Sequence, residues 1–193
     1  MSPAASPAAR SPGAAWARLL CMGAVALTMG GCASMSEKEC LSANWQEQGY
    51  RDGRNGHPAS RVEDHREACA GVGVVPDTEQ YRKGRDQGVL EYCTPENAAR
   101  EGRAGRSYRN ACPARLEGTF LTYHRLGYQA YQAQQRLDSL NRQMEQTQRN
   151  LDQEKKEDKR RELREELRSL DRRLYQARQE LRDAERRLNS KSY

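Results

Sequence analysis

The chain has 193 residues, 31% of them charged, with a mean hydropathy of −1.08 and a single phenylalanine. Little apolar material is available for a core, so the globular part must be smaller than the length suggests. The net charge of +6 would ordinarily suggest nucleic-acid binding. However, residues 32–128 hold 14 basic and 14 acidic residues, so the domain has no basic surplus. Its dispersed charge argues against a nucleic-acid partner.

The first 31 residues have the layout of an export signal. A stretch whose only charges are Arg10 and Arg18 precedes the apolar run 19–29, and GGC follows at 30–32. This run is too short to span a bilayer, which needs roughly 20 apolar residues in a helix. A basic segment, a short apolar segment and small residues before a cleavage site are typical of secreted proteins. We therefore expect residues 1–31 to be a signal peptide.

The sequence LTMGGC resembles a bacterial lipobox, in which the cysteine after the cleavage site is acylated. This predicts Cys32 as the lipidated N-terminus of the mature protein, with palmitate among its acyl chains. Cys21 is a poor alternative because an arginine and two leucines precede it. Ala33, rather than aspartate, after the cysteine favours the outer membrane. Ordinary cleavage nearby, giving a soluble periplasmic protein, is the alternative.

Four cysteines remain in the mature chain, an even number that suits disulfides in an oxidising compartment. They are Cys40, Cys69, Cys93 and Cys112. Three pairings are possible. We favour Cys40–Cys69 and Cys93–Cys112, because each closes a short loop of about the size of a helix.

Capping signals and glycines divide the chain into helices. Ser36, Ser60 and Asp77 each precede Glu or Gln by three residues, which predicts capping boxes. Thr94-Pro95 and Cys112-Pro113 place proline at a first helical position. The expected helices are 37–53, 60–70, 78–92, 95–108 and 113 onward; only GVGVV at 71–75 has a strand-like pattern. The fold class predicted is all-α, with a small disulfide-stapled domain at 32–128.

Glycines occur at helical spacing inside these predicted helices. Gly49 and Gly53 share one helix face, as do Gly84 and Gly88. Glycine within a helix costs roughly 1 kcal/mol relative to alanine. We expect close approach of helix backbones to compensate for this cost.

A coiled-coil seam occupies the end of the segment 129–193. Its members keep a 4-3 spacing and are Leu163, Leu167, Leu170, Leu174, Ala177, Leu181, Ala184 and Leu188. A shorter run from Leu137 to Leu151 has the same spacing but a different register. Residues 152–162 between the runs contain no Gly or Pro, so we favour one long C-terminal helix over a hairpin. The seam is expected to pair with another copy or another protein, although packing on its own domain is an alternative.

No motif predicts catalysis, a metal or a cofactor. His65 and Cys69 are four residues apart, as in some zinc sites, but an oxidised cysteine cannot bind zinc. The segments 84–88 and 102–106 are rich in Gly and Arg, yet they lack the strand and the Gly-Lys-Ser/Thr ending of a phosphate loop. Helix packing explains them better.

Several segments resemble the family of domains of unknown function numbered 2799. They include QEQGYRDGRNGHPASR, HREACAGVGVVPD, YRKGRDQGVLEYCTPENAAREGRAGRSYRNACP and FLTYHRLGY. The resemblance covers about 32–131 and implies a bacterial envelope lipoprotein with a cysteine-stapled helical domain. It supplies no catalytic residue.

The sequence therefore predicts a lipoprotein anchored to the outer membrane and facing the periplasm, with a structural or protein-binding role as scaffold or spacer. Its partner would be a protein, or a second copy, contacted through the C-terminal helix. The alternative is a periplasmic helical domain that binds a small ligand or acts as an enzyme. A pocket lined by Trp45, Tyr81 and Tyr92 would favour that alternative.

Overall fold

A computed structural model describes residues 34–190, and the regular structure in this range is entirely helical. The elements are α1 Glu37–Leu41, α2 Trp45–Arg54, α3 Arg61–Cys69, a 3-10 turn Ala70–Val72, α4 Thr78–Tyr92, α5 Pro95–Arg103, α6 Ala114–Gln153 and α7 Glu157–Asn189. The predicted all-α fold class is confirmed. Within 34–190, no helix combines the length and apolarity that crossing a membrane requires.

Three of the predicted helix starts carry side-chain caps. Ser36 and Glu39 form a complete capping box, in which each side chain bonds the backbone N–H of the other residue. Asp77 accepts bonds from two N–H groups in the first turn of α4. Thr94 caps α5 in the same way. These short polar side chains satisfy backbone donors that a helix start leaves without partners.

Other boundaries differ from the prediction. The expected helix 37–53 is interrupted, because α1 ends at Leu41 and the side chain of Asn44 caps the start of α2. Ser60 adopts a helical conformation and makes no capping bond. The helix that begins at 95 ends at Arg103, five residues early. A local side-chain cap competes with helix continuation, and at Asn44 the cap prevails.

Glycines bring helix backbones into direct contact, as expected. Gly49 and Gly53 of α2 face α4, and a Cβ added at Gly53 would lie 2.8 Å from the backbone nitrogen of Val89. Gly84 and Gly88 of α4 face α2 in return. The pair α5 and α6 repeats the device, with Gly102 and Gly127 each against the backbone of the other helix. Two helix pairs of this kind form the framework of the domain.

Each disulfide lies in its own small hydrophobic cluster. Phe120 is fully buried and stacks on Tyr92 with 5.1 Å between ring centroids, beside Cys93 and Cys112. A second cluster surrounds Cys40 and Cys69 and includes Met35. The core is thus divided, which suits a chain with few large apolar residues.

Residues 129–190 form a hairpin, so the expectation of one uninterrupted helix is wrong, whereas the predicted long C-terminal helix is present as α7. α6 ends at Gln153, and α7 returns along it. Arg136 and Glu180 form an ion pair at 3.3 Å between the helices. Nearer the turn, the hydroxyl of Thr147 donates to the carboxylate of Glu166 at 3.3 Å. From the first pair to the second, the residue number rises along α6 and falls along α7, so the two helices are antiparallel.

Charged side chains build the turn at 154–156. The guanidinium of Arg160 donates to the carbonyl oxygens of Leu151 at 2.8 Å and Glu154 at 2.9 Å. The carboxylate of Glu154 accepts the N–H groups of Lys155 and Lys156 at 2.8 and 2.9 Å. Both helix ends obtain their hydrogen-bond partners without glycine or proline. The expectation that a turn in this segment would need glycine or proline is therefore wrong.

Candidate functional site

The four predicted disulfide cysteines pair as expected. Cys40 bonds Cys69 across 29 residues, and Cys93 bonds Cys112 across 19 residues. The presence of disulfide bonds is thereby confirmed. The predicted lipidation site, Cys32, and the signal segment 1–31 lie outside the described residues, and their assignment stays a prediction.

The coiled-coil seam is covered by the chain itself. All eight of its members are buried or half-buried in the hairpin. Leu170, Leu174 and Ala177 form one cluster with Leu140 of α6, and Met144 packs against it. Within residues 34–190 the seam is therefore paired with α6, and the expectation that it binds a second copy or another protein stays a prediction. The shorter apolar run on α6, from Leu137 to Leu151, packs against this seam. The sequence had suggested that another chain would supply this surface.

A buried polar cluster, missed by the sequence analysis, joins α2, α3 and α4. Asp52 lies at its centre, with the Nε2 of His65 at 2.6 Å and the hydroxyl of Tyr81 donating at 2.8 Å, both to one carboxylate oxygen. Gln48 donates to the other oxygen at 3.2 Å. The Nδ1 of His65 accepts from the hydroxyl of Ser34 at 2.8 Å when the ring is neutral. His65 is fully buried.

The cluster shifts the pKa values of Asp52 and Tyr81. Burial raises the pKa of Asp52, but the hydrogen bonds from His65 and Tyr81 outweigh burial and hold its pKa below the ordinary value of 3.8. Burial, with the adjacent Asp52 carboxylate, raises the pKa of Tyr81 far above its usual range. Asp52 is therefore an anion that three neighbouring side chains stabilise. The cluster ties α3 to the closely packed pair α2 and α4.

The order Ser34, His65, Asp52 is formally that of a hydrolytic triad, but the arrangement does not suit catalysis. His65 is fully buried, so no substrate can reach the ring. Four surface grooves of the domain and arm are lined by other residues. What this geometry supports is fixation of the segment at Ser34 onto α2 and α3.

The other predicted chemistries occupy structural positions. Cys69 is oxidised and His65 is bonded to Asp52, and residues 34–190 contain no group of three side chains placed to hold a metal ion. Tyr81 and Tyr92 are 2% and 5% exposed, and Trp45 is half-buried. Of the three aromatic side chains, Tyr92 lines a surface groove, which is described below. Trp45, Tyr81 and Tyr92 therefore do not line one common pocket among the described grooves.

An arginine-lined groove of about 550 Å³ lies between the end of α2 and the segment after α5. Its lining includes Arg54, Arg100, Arg106 and Arg109, together with Glu91 and Glu101. Both carboxylates are engaged, since Tyr50 donates to Glu91 at 2.6 Å and Arg106 binds Glu101 through two bonds. The bonds from Arg106 lower the pKa of Glu101. Four arginines against two carboxylates give the lining of the groove a net positive charge. Its residues come from separate segments of the chain that the fold brings together.

Residues 44–129 match the model of one family, described as a protein of unknown function, DUF2799. This match bears out the resemblance read from the sequence. No curated protein and no solved structure is similar enough to the chain to count as a match.

Proposed function

We propose, from the premise that residues 44–129 form a DUF2799 domain, that this protein is a cell-envelope lipoprotein with a structural, protein-binding role. In this proposal Cys32 carries the lipid at the outer membrane, and the two-helix arm formed by α6 and α7 acts as scaffold or spacer. Support for export comes from the LTMGGC motif and from disulfides that persist in oxidising compartments.

The observation that carries the scaffold role is a two-helix arm whose apolar seam is covered within the chain. Beyond Ala130, α6 continues for about 35 Å at 1.5 Å per residue, and α7 covers its apolar side. Apart from Tyr175, the exposed faces of the arm are polar, and residues 129–193 hold 17 basic and 13 acidic residues. A protein partner would therefore meet the charged outer faces, whereas self-association through the seam would require opening the hairpin.

Lipidation is tested by palmitate labelling of the protein expressed in a bacterium. Cys32→Ser should abolish the label and leave the signal uncleaved or the product unanchored. Cys21→Ser is the matched control and should keep the label. A labelled Cys32→Ser protein would reject Cys32 as the anchor.

The spacer role is tested by shortening the arm without opening its seam. Removing 141–147 from α6 and 164–170 from α7 takes one heptad from each helix and shortens the arm by about 10 Å. A photo-crosslinker at Lys155, on the exposed turn, should give a discrete adduct in envelopes that is lost in the shortened protein. The same probe at Leu121, in the domain, should give the same crosslinking result in the full-length and the shortened protein. Absence of an adduct, or an adduct that survives shortening, would reject the spacer role.

The arginine groove favours a second candidate, a domain that binds a small anionic ligand. Arg109 donates to the carbonyl of Asn55 at 2.8 Å and still has free N–H groups at the groove. Titration with inorganic phosphate and with citrate, followed by calorimetry, should show binding that Arg109→Ala weakens. Arg103→Ala, outside the groove, is the matched control. Equal effects of the two variants would reject a specific site.

A further inference from the structure

The first described residues, 34–36, are fixed to the folded domain by hydrogen bonds and burial. The hydroxyl of Ser34 bonds the buried His65 at 2.8 Å, Met35 is 6% exposed, and Ser36 caps α1. Only Ala33 separates Ser34 from Cys32, and two residue steps reach at most about 7 Å. A lipid on Cys32 would therefore be attached to the folded domain with almost no tether.

Two exposed apolar side chains lie on the same end of the domain. Leu41 is 69% exposed and follows Cys40, and Val75 is 72% exposed and follows Val74. Cys40 and Val74 belong to the cluster that contains Met35, and the Cys40–Cys69 disulfide ties these segments together. The other large apolar side chains that are exposed lie on α4, α6 and α7, namely Leu90, Leu121, Tyr128 and Tyr175.

Charge does not draw this end toward an anionic surface. Residues 34–79 hold nine acidic and five basic residues, whereas the basic surplus lies beyond residue 79. Contact with a bilayer at this end must therefore be apolar and insensitive to salt. Anchoring keeps the end at a high local concentration near the lipid, so two apolar side chains are enough to hold it there.

We propose that the end of the domain formed by α1 and the segment 72–75 lies directly on the bilayer, with Leu41 and Val75 in the boundary between headgroups and acyl chains. This inference rests on the proposed lipidation of Cys32. The domain is thereby oriented at the membrane by its acidic N-terminal part.

The test uses the full chain, purified from the bacterium that expresses it, on phosphatidylcholine vesicles. A nitroxide is introduced through a ketone-bearing amino acid, which leaves the cysteines undisturbed, at residue 41, 75 or 121. Labels at 41 and 75 should lose access to a water-soluble nickel complex when the protein binds vesicles. The label at 121, also an exposed apolar position, should keep it. Added salt should change neither result.

The possible outcomes separate the two proposals. Protein that fails to float with the vesicles would reject lipidation, and this inference with it. Protein that floats but keeps nickel access at 41 and 75 would reject only the docking. A label at the exposed Lys38 should be shielded, and Leu41→Asp with Val75→Asp should restore its access. A label that stays shielded in this double variant would reject the apolar contact.

Discussion

Replacing Gly84 by alanine tests the backbone contact between α2 and α4. The added Cβ would lie 2.7 Å from the carbonyl carbon of Gln46 and 2.9 Å from the backbone nitrogen of Tyr50, with the carbonyl oxygen of Gln46 nearer still. All three obstacles are backbone atoms, so no side-chain rotation can make room. Ordinary contact requires the helices to separate by roughly 1 Å, which loosens the whole interface.

Two opposing contributions determine how much Gly84→Ala should change the free energy of unfolding. Alanine is favoured over glycine inside a helix by about 1 kcal/mol. Overpacking a tight contact costs about 1–3 kcal/mol, and a rigid backbone obstacle gives the upper part of that range or more. The free energy of unfolding should therefore fall by about 2 kcal/mol. With a urea dependence of 1–3 kcal/mol per molar, the midpoint should fall by roughly 1 M.

Urea unfolding followed by far-ultraviolet circular dichroism measures this change under oxidising conditions. Gly118→Ala is the matched control, because Gly118 also lies in a helix but has no atom within 4 Å of its added Cβ. The control should gain up to about 1 kcal/mol from helix propensity alone. If Gly84→Ala were as stable as wild type, or stabilised like the control, close backbone packing would be refuted.

Reduction of the two disulfides should lower the unfolding free energy by about 3 kcal/mol for each bond, and an unchanged urea midpoint in reductant would contradict this expectation. Asp52 has a lowered pKa, so its charge contributes stability above its unfolded pKa near 3.8 that is lost as the pH falls through the folded value. Asp52→Asn should therefore lower the urea midpoint at neutral pH and flatten its decline in acid; an equally steep acid decline would argue against this role. Arg160→Ala should destabilise the hairpin by about 1–2 kcal/mol in thermal melts, whereas Arg161→Ala, in an exposed ion pair, should have almost no effect. Equal effects of these two variants would show that the turn does not depend on Arg160. Spin labels at Arg136 and Glu180 should lie within about 20 Å in the hairpin, whereas a continuous helix would separate them by roughly 65 Å.

Local signals predicted much of the fold. Ser36, Asp77 and Thr94 cap helices because a short polar side chain needs only the next three residues to act. The glycines at i and i+4 predicted close helix contact for a similar reason, since their spacing fixes one face. The cysteine pairing followed from loop length. In each case the interaction partner, or the geometric constraint, lies nearby in sequence.

Features that depend on distant partners escaped prediction. The sequence alone does not distinguish Asp52 from a surface carboxylate, because its partners His65 and Tyr81 are 13 and 29 residues away. The turn at 154–156 looks helical because charged side chains replace the usual breakers. The two apolar runs are centred ~110° apart around a straight helix, which was the one available sign of two separate helices. That mismatch disappears when each run faces the other across the hairpin.

The order of the disulfides has a consequence for biosynthesis. The four cysteines within residues 34–190 pair in chain order, the first with the second and the third with the fourth, so the two loops do not interleave. A chain that enters an oxidising compartment N-terminus first presents Cys40 and Cys69 before Cys93 emerges. Oxidation in order of emergence therefore joins the native partners, and the protein needs no reshuffling of mismatched bonds to mature.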